Sequence, residues 1–226
     1  RSLPQSLEEY SDSNELAINL VNRGYYSISD EKRLELAEEY LRRKRIIFID
    51  RDGTIHEKAA KGEYISRVED VKLLDETVDA MKILSTYGYS FVIITNQAGI
   101  GRRILKEEDV AKVNRYIVNL LGQRDIEIEE VVVCPHHWEE NCICRKPKPY
   151  MLIETARKYN LETNKTYYIG DDIRDMQAAK SAGCIGIRIY DDRITIANET
   201  GAEVKNMKQI VNIVIDSLSL TEGIIK

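Results

Sequence analysis

The sequence predicts an α/β fold, in which helices cover both faces of a doubly wound parallel sheet. From residue 45 onward, short apolar runs rich in β-branched residues alternate with amphipathic stretches at the spacing of βαβ units. The apolar runs are continuous, as expected for strands that are buried on both faces. Several of them also end in carboxylate or hydroxyl residues, as expected where parallel strands reach a ligand site.

The composition is that of an ordinary globular protein. The chain has 226 residues, of which 43% are hydrophobic and 31% charged, with a net charge of −5. This balance gives no basic face, so we predict no nucleic-acid partner. No apolar run approaches the roughly 20 residues that a bilayer span needs, and no signal-peptide core is present. We therefore predict no membrane association and a cytoplasmic location.

Residues 1–44 differ from the rest of the chain. They are rich in Glu, Ser, Asn and Tyr, and helical spacing occurs over 15–21 and 31–41. We find no catalytic constellation in them. They are predicted to be an N-terminal helical extension, which either braces the domain 45–226 or connects it to a covalent or docked upstream enzyme module. The first residue is Arg1 rather than Met, which suggests a processed product or part of a longer protein.

The elements of the sheet domain follow in order. Strands are predicted over residues 46–49, 89–94, 130–133, 166–169 and 185–189. Helices are predicted over residues 71–87, 106–121, 149–159, 173–182 and 207–218. Gly88 and Gly183 stop the helices that precede them, and Pro149 suits the first turn of its helix.

Two carboxylates follow the first predicted strand. Asp50 and Asp52 come directly after the apolar run 46–49. Carboxylates at the edge of a buried strand repel each other unless a cation lies between them, so the pair predicts a magnesium site. The alternative is a strand that simply ends in an Asp-Gly turn.

Polar residues also follow two other strands. Thr95 and Asn96 end the second strand, and Asp171 and Asp172 end the fourth. Because parallel strands point the same way, these residues and the first pair of aspartates gather at one edge of the sheet. Unrelated turns would not produce this coincidence, so we predict one active site there.

Four separated motifs resemble those of haloacid dehalogenase superfamily phosphatases. In chain order they are Phe-Ile-Asp-Arg-Asp-Gly-Thr, Ile-Ile-Thr-Asn-Gln, Cys-Arg-Lys-Pro and Ile-Gly-Asp-Asp-Ile-Arg-Asp-Met. The resemblance runs from about residue 45 to 189 and implies a Rossmann-like, haloacid dehalogenase-like fold with a magnesium cofactor. It implies a nucleophile at Asp50, a proton donor at Asp52, phosphoryl contacts from Thr95 and Asn96, and a neutralising charge from Lys146. It also implies magnesium ligands at Asp50, Asp52 and Asp171, with Gln97 beside the phosphoryl site.

The charges of these residues agree with that assignment. Three aspartates and a phosphomonoester dianion carry five negative charges, and like charges about 4 Å apart repel by roughly 4 kcal/mol per pair at an effective dielectric near 20. Magnesium, Lys146 and Arg145 supply four positive charges, and a protonated Asp52 makes the sum neutral. Alternatively, Lys146 is a solvated surface lysine. Asp175 is expected to hydrogen-bond the metal ligands or water rather than the metal itself. Asp172 either belongs to the site or starts a helix.

The cysteines indicate a second metal site. Three of the four lie between residues 134 and 144, and clustering in a cytosolic chain favours metal over disulfides. Cys134-Pro-His136 and Cys142-Ile-Cys144 each offer two donors on one side of an extended segment, which is the ligand set of structural zinc. A disulfide, unligated thiols, or His137 in place of His136 are the alternatives.

A zinc-stapled loop before Arg-Lys-Pro resembles the heptose 1,7-bisphosphate phosphatases and the histidinol-phosphate phosphatases of this superfamily. The resemblance implies hydrolysis of a small phosphorylated metabolite: a heptose bisphosphate converted to heptose 1-phosphate, histidinol phosphate, or the substrate of a bifunctional sugar-nucleotide protein. No insertion is large enough for a separate cap domain. Arg102 and Arg103 depart from the usual Arg-Gly, and Tyr150 from the usual glycine. Arg102 and Arg103 either bind a second phosphate, which favours the bisphosphate, or belong to a solvated basic turn.

Overall fold

A seven-stranded sheet is the framework of the part of the chain that the structure describes. The computed structural model describes residues 44–60, 62–190, 193–197, 203–204 and 209–215. The helices predicted over 15–21 and 31–41 lie outside these residues. The strands are β1 (Arg45–Ile49), β2 (Tyr89–Asn96), β3 (Ile128–Cys134), β4 (Tyr167–Gly170), β5 (Ile185–Tyr190), β6 (Arg193–Ala197) and β7 (Glu203–Val204).

The sheet order is β3-β2-β1-β4-β5-β6-β7, and the first five strands in that order pair in parallel. β1 therefore lies between β2 and β4. In register, Ile49 pairs with Ile93 of β2 and with Ile169 of β4. Because these three residues are level, the segments that follow the three strands leave the sheet side by side. The α/β fold with a parallel sheet is confirmed.

Helices cover both faces of the sheet. They are α1 (Asp75–Thr86), α2 (Ala98–Gly101), α3 (Glu107–Gly122), α4 (Tyr150–Lys158), α5 (Ile173–Ala182) and α6 (residues 209–215). Ile47 and Ile49 belong to one hydrophobic cluster, whereas Ile46 and Phe48 belong to the other. Side chains alternate along a strand, and each fully buried one stabilises the fold by about 1.5–3 kcal/mol. A polar substitution within β1 would therefore destabilise the hydrophobic cluster on whichever face of the sheet that residue occupies.

The first helix begins later than predicted. The sequence predicts a helix from residue 71, but α1 begins at Asp75. The segment before it is extended because Glu57 N donates to Lys72 O at 2.9 Å and Leu74 N donates to Ile55 O at 2.9 Å. These bonds hold the chain after β1 against the residues that precede α1. Pairing with this distant segment prevents the helix that the local spacing predicts there.

The antiparallel strands β6 and β7 were not predicted. β6 pairs with β5, and β7 with β6, in antiparallel register. The sequence carries a signal for β6, because Ile194 and Ile196 alternate with polar residues after Asp191-Asp192. A hairpin of this kind does not follow βαβ spacing, so that spacing does not predict it. Among the described residues, no helix is both long enough and apolar enough to span a bilayer.

Candidate active site

A narrow cleft lies where β1, β2 and β4 end. Its volume is about 90 Å³, and it is lined by Asp50, Asp52, Lys58, Thr95, Asn96, Lys146, Asp171, Asp172, Arg174 and Asp175. The structure thus brings together six of the residues predicted for catalysis, phosphate or magnesium. The other three, Gln97, Arg102 and Arg145, do not line this cleft.

Asp50 is held firmly at the floor of the cleft. Its backbone N donates to Ile169 O at 2.8 Å, which extends the pairing of β1 with β4 by one residue. Only 6% of the residue is exposed. Burial raises the pKa of Asp50 to about 7, against the opposing effect of Lys146. A nearby cation would therefore favour the ionised carboxylate that a nucleophile requires.

Lys146 is a buried lysine enclosed by oxygen atoms. Its Nζ donates to Asp50 Oδ1 at 2.6 Å, to Tyr168 Oη at 2.8 Å and to Ile94 O at 2.9 Å. It also forms an ion pair with Asp175 Oδ1 at 2.8 Å. Burial lowers the pKa of Lys146, but the two carboxylates outweigh this effect and raise it above its usual value. The alternative of a solvated surface lysine is wrong for this residue.

Asn96 fixes the backbone that carries this lysine. Its Oδ1 accepts from Lys146 N at 3.1 Å, and its Nδ2 donates to Lys146 O at 3.1 Å. The two bonds tie the end of β2 to the loop after β3. The side chain of Asn96 therefore positions Lys146 as well as lining the cleft.

The carboxylate of Asp52 belongs to a separate network. Arg51 donates to it twice, Nε to Oδ2 at 3.0 Å and Nη2 to Oδ1 at 3.0 Å. Gln97 Nε2 and Thr95 Oγ1 donate to Oδ2 at 2.8 Å and 3.2 Å. Burial raises the pKa of Asp52, but the charge and hydrogen bonds of Arg51 outweigh it and hold the pKa below its usual value. Arg51 thus favours the ionised form of Asp52, whereas the charge count made from the sequence uses the protonated form.

The carboxylates that converge are those of Asp50, Asp171 and Asp175, whose ligand atoms lie within 4.8 Å of one another. The side chain of Asp52 is not in this group, because Arg51 holds it. Asp171 Oδ1 is buried and has no hydrogen-bond partner among the described residues. An unpartnered carboxylate oxygen within a cluster of acids fits a hard divalent cation such as Mg²⁺, which prefers oxygen ligands. Asp50 and Asp171 are the residues that would hold it, because both oxygens of Asp175 already accept hydrogen bonds, Oδ1 from Tyr168 Oη at 3.0 Å and Oδ2 from Asp172 N at 3.1 Å.

Asp172 and Arg174 form the start of α5. Asp172 accepts from Arg174 N at 2.9 Å, and Asp172 N donates to Asp175 Oδ2 at 3.1 Å, so the two aspartates form a capping box. Arg174 Nη2 also lies 2.7 Å from Asp172 Oδ2. Of the two roles considered for Asp172, the helix start accounts for its contacts.

The loop after β3 gathers three thiols and an imidazole. Ligand atoms of Cys134, His136, Cys142 and Cys144 lie within 4.8 Å of one another. The sulfur atoms are separated by 3.1 to 3.6 Å. A tetrahedron with Zn–S bonds of about 2.3 Å has edges of roughly 3.8 Å. The cluster therefore suggests a zinc loop.

The alternatives for this loop do not agree with the geometry. The four cysteines are free, and the shortest separation between two sulfurs, 3.1 Å, is far from the roughly 2.05 Å of a disulfide. His137 caps the short 3-10 helix Trp138–Glu140, where its Nδ1 accepts from Glu139 N at 3.3 Å. His136 is therefore the imidazole that the cluster uses.

We expect the purified protein to contain about one zinc per chain and Cys142→Ser to contain less than about half. The variant should also melt on the order of 5–10 °C lower, because an unligated loop loses its anchor. Elemental analysis and thermal unfolding are the measurements. Cys184→Ala is the matched control, since Cys184 is a buried thiol outside the cluster. Equal zinc content in wild type and Cys142→Ser would contradict a zinc site here.

The short helix α2 is packed against this loop. Gly101 N donates to Pro135 O at 2.8 Å. A Cβ atom at Gly101 would lie 2.6 Å from His137 N, so only glycine fits without a shift. The next residue, Arg102, lies with its guanidinium 5.2 Å from the Trp138 ring centre and donates to Tyr64 Oη at 3.2 Å. Arg102 therefore bridges two loops.

A wider cavity of about 340 Å³ opens beside the cleft. It is lined by Trp138, Asn141, Cys142, Arg145, Lys146, Pro147, Lys148 and Arg174. Lys146 and Arg174 line both spaces, so the cavity adjoins the cleft. Arg145 belongs to this cavity, next to the reacting centre rather than within it.

Sequence reasoning missed Lys58, Arg174 and Tyr168. Lys58 Nζ pairs with Asp171 Oδ2 from a loop that carries no motif. Tyr168 lies inside β4, where its hydroxyl donates to Asp175 Oδ1 at 3.0 Å. A tyrosine within an apolar run reads as core, so no sequence signal marks this one. Arg174 stands within the last motif, where its residue type alone does not predict a role at the site.

Comparison with known proteins gives one family. A model of the haloacid dehalogenase-like hydrolases matches residues 6–183. The D-glycero-beta-D-manno-heptose-1,7-bisphosphate 7-phosphatase of Pasteurella multocida (strain Pm70) is 30% identical over 190 residues, which cover 81% of this chain and 97% of that protein. The D-glycero-alpha-D-manno-heptose-1,7-bisphosphate 7-phosphatase of Campylobacter jejuni subsp. jejuni is 33% identical over 168 residues, which cover 74% of this chain and 94% of that protein.

A solved structure is also similar. The crystal structure of D,D-heptose 1,7-bisphosphate phosphatase from B. bronchiseptica, complexed with magnesium and phosphate, superimposes with a TM-score of 0.59. It is 27% identical, and the similar part covers 63% of this chain and 78% of that one. That protein binds both of the small species that the present cleft suits by its charges.

Proposed function

This chain belongs to the haloacid dehalogenase-like hydrolases, and on that basis we propose that it is a magnesium-dependent phosphatase that converts a D-glycero-D-manno-heptose 1,7-bisphosphate to heptose 1-phosphate. Asp50 is the nucleophile, and the reaction passes through an aspartyl-phosphate. The relatives named above act, by their names, on the β and the α anomer of this bisphosphate. Their sequences support the substrate, and the cleft supports the chemistry.

The observation that carries the chemistry is the buried ion pair of Asp50 and Lys146, 2.6 Å apart at the floor of the cleft. A phosphomonoester entering the cleft brings two negative charges close to Asp50. The ammonium group cancels part of the repulsion between the nucleophile and the phosphoryl oxygens. Magnesium held by Asp50 and Asp171 would supply two more positive charges there.

The first half of the reaction transfers the phosphoryl group to the protein. An oxygen of Asp50 attacks phosphorus while the bond to the leaving oxygen breaks, and Asp52 gives that oxygen a proton. Asp52 lines the same cleft, two residues after the nucleophile. Arg51 favours the ionised form of Asp52, whereas the two negative charges of an arriving phosphomonoester favour its protonated form. Binding of the substrate is therefore coupled to uptake of a proton by Asp52.

The second half returns the protein to its starting state. Asp52, now ionised, takes a proton from water, and the water oxygen attacks phosphorus as the bond to Asp50 breaks. The four hydrogen bonds that Asp52 accepts suit this basic form. Hydrogen bonds fix the positions of the Asp50 and Asp52 carboxylates in the cleft. Positioning and charge stabilisation are the main requirements for catalysis of phosphoryl transfer.

The adjoining cavity suits the rest of a bisphosphate. Its lining contributes three cationic side chains besides Lys146, those of Arg145, Lys148 and Arg174. We propose that the sugar lies across the boundary between cleft and cavity and that its 1-phosphate contacts Arg145. The zinc loop and its neighbouring loops would then border the substrate in place of a large cap domain.

Phosphate release across a panel of phosphates tests the proposal. The panel is both anomers of heptose 1,7-bisphosphate, heptose 7-phosphate, a hexose bisphosphate and histidinol phosphate. We expect kcat/KM for a heptose bisphosphate to exceed that for heptose 7-phosphate by about 10- to 100-fold, because hydrogen bonds to charged groups contribute roughly 1.5–3 kcal/mol. The product should retain the 1-phosphate.

The variant Arg145→Gln should remove most of that preference while changing kcat/KM for heptose 7-phosphate little. Arg157→Gln, on the exposed side of α4, is the matched control. Faster turnover of histidinol phosphate than of either heptose bisphosphate would contradict the proposal and identify histidinol phosphate as the preferred substrate. Release of the 1-phosphate would show that the substrate binds in the opposite orientation.

A further inference from the structure

Arg51 is the largest fully buried side chain among the described residues, and it lies between the two catalytic aspartates in sequence. A buried guanidinium is costly unless its charge and hydrogen bonds are matched. Here Asp52 matches the charge through two bonds. The remaining described bond goes from Arg51 Nη1 to Asn114 Oδ1 at 2.7 Å.

Asn114 occupies an unexpected position on α3. The buried face of that helix is otherwise apolar, with Val110, Val113, Ile117 and Leu121. Asn114 is 8% exposed within this face. A polar side chain at a core position needs a partner, and the partner of this one is Arg51. The helix therefore supports the active site through a single amide.

Three side chains determine where the carboxylate of Asp52 points. Thr95 and Gln97 donate to Oδ2, and Gln97 also donates to Thr95 Oγ1 at 2.8 Å. Oδ1 receives only the guanidinium as a hydrogen-bond donor at 3.0 Å, with His56 Nε2 at 3.5 Å beyond it. Without Arg51, one oxygen of Asp52 would lose its close donor and the carboxylate could turn.

We propose that Arg51 and Asn114 are positioning residues that hold the carboxylate of Asp52 in the orientation from which it protonates the leaving oxygen. This inference rests on the proposed role of Asp52. The step itself forms the bond from Asp50 to phosphorus, breaks the bond from phosphorus to the leaving oxygen and moves one proton from Asp52 to that oxygen. Arg51 and Asn114 keep their own protons throughout.

The test uses two substrates whose leaving groups differ in their need for a proton. The leaving group of glycerol 3-phosphate is glycerol, which departs as an unstable alkoxide unless its oxygen is protonated. The leaving group of p-nitrophenyl phosphate is p-nitrophenolate, which is stable without a proton. The quantity compared is kcat/KM, because it reports phosphoryl transfer to Asp50 and not the later hydrolysis. Asp52→Asn sets the scale: general acids contribute about 10²–10⁴-fold, so it should lose that factor on glycerol 3-phosphate and far less on p-nitrophenyl phosphate.

Asn114→Ala and Arg51→Lys test the positioning. We expect each to lose about tenfold or more on glycerol 3-phosphate and less than about threefold on p-nitrophenyl phosphate. Arg51→Lys keeps the charge but not the paired geometry, so a loss there assigns the effect to orientation. Asn119→Ala, an exposed asparagine on the same helix, is the matched control and should change neither value.

The outcomes are separable. Equal losses on both substrates would mean that Arg51 and Asn114 act only on stability, and the inference would be overturned. Should Asp52→Asn itself show no dependence on the leaving group, the proposed role of Asp52 would fail first. A selective loss in all three variants supports the inference. Thermal unfolding of each variant separates misfolding from misplacement.

Discussion

Asp50→Asn is expected to lower phosphate release by on the order of 10⁴-fold or more, as removal of a covalent nucleophile does in other hydrolases. The fold should remain intact. Asp50 and Asp175 share one ammonium group, so the neutral amide still leaves Lys146 paired with Asp175. Since burial already raises the pKa of Asp50 to about 7, removing its charge should leave the melting temperature unchanged or higher.

The measurements are steady-state phosphate release and thermal unfolding. Asp79→Asn, at an exposed position of α1, is the control for the substitution itself. Full activity of Asp50→Asn on every phosphomonoester tried would refute the aspartyl-phosphate mechanism. A collapse of the melting temperature would instead show that the ion pair with Lys146 is chiefly structural.

Lys146→Met should impair both activity and stability. Loss of one preorganised positive charge at the phosphoryl site lowers the rate by about 10²–10³-fold in comparable cases. The methionine also leaves two buried carboxylates without their shared cation, and breaking a buried pair costs about 3–5 kcal/mol. A loss of that size lowers the melting temperature by on the order of 10 °C in a protein of this length.

The double variant Lys146→Met, Asp175→Asn separates the two effects. Removing the second unpaired carboxylate should restore much of the stability and none of the activity. Lys180→Met, exposed on α5, is the control for replacing a lysine. If the double variant recovered phosphatase activity, the lysine would be a structural counterion and not part of the phosphoryl site.

The sequence predicted the parts of the site that depend on strand order. Asp50, Thr95 and Asp171 each follow an apolar run, and parallel pairing is enough to bring such ends together. Lys146 was predicted by its resemblance to a motif, since nothing local distinguishes it from a surface lysine. The zinc-loop residues were predicted by spacing, because alternate side chains in extended backbone face one way.

What the sequence could not predict depends on contacts between distant segments. Arg51 and Asn114 are 63 positions apart, and neither residue type marks a site alone. The carboxylate of Asp52 contacts Arg51, Thr95 and Gln97 and lies outside the cluster of Asp50, Asp171 and Asp175, whereas the sequence grouped Asp52 with the magnesium ligands. Lys58 reaches Asp171 across 113 positions. Such pairings are set by tertiary packing, which periodicity and motif spacing do not describe.

The tight fit of Gly101 against the backbone of the zinc loop links the residue at this position to the shape of the cleft entrance. The floor of the cleft is built from strand ends, whereas α2 and the zinc loop beside it pack backbone against backbone at Gly101. A bulkier residue at Gly101 would first meet Pro135, His137 and Glu140, none of which lies on the strand ends that form the floor. A substitution at Gly101 is therefore expected to change which substrates fit the cleft more than it changes the phosphoryl-transfer chemistry at its floor.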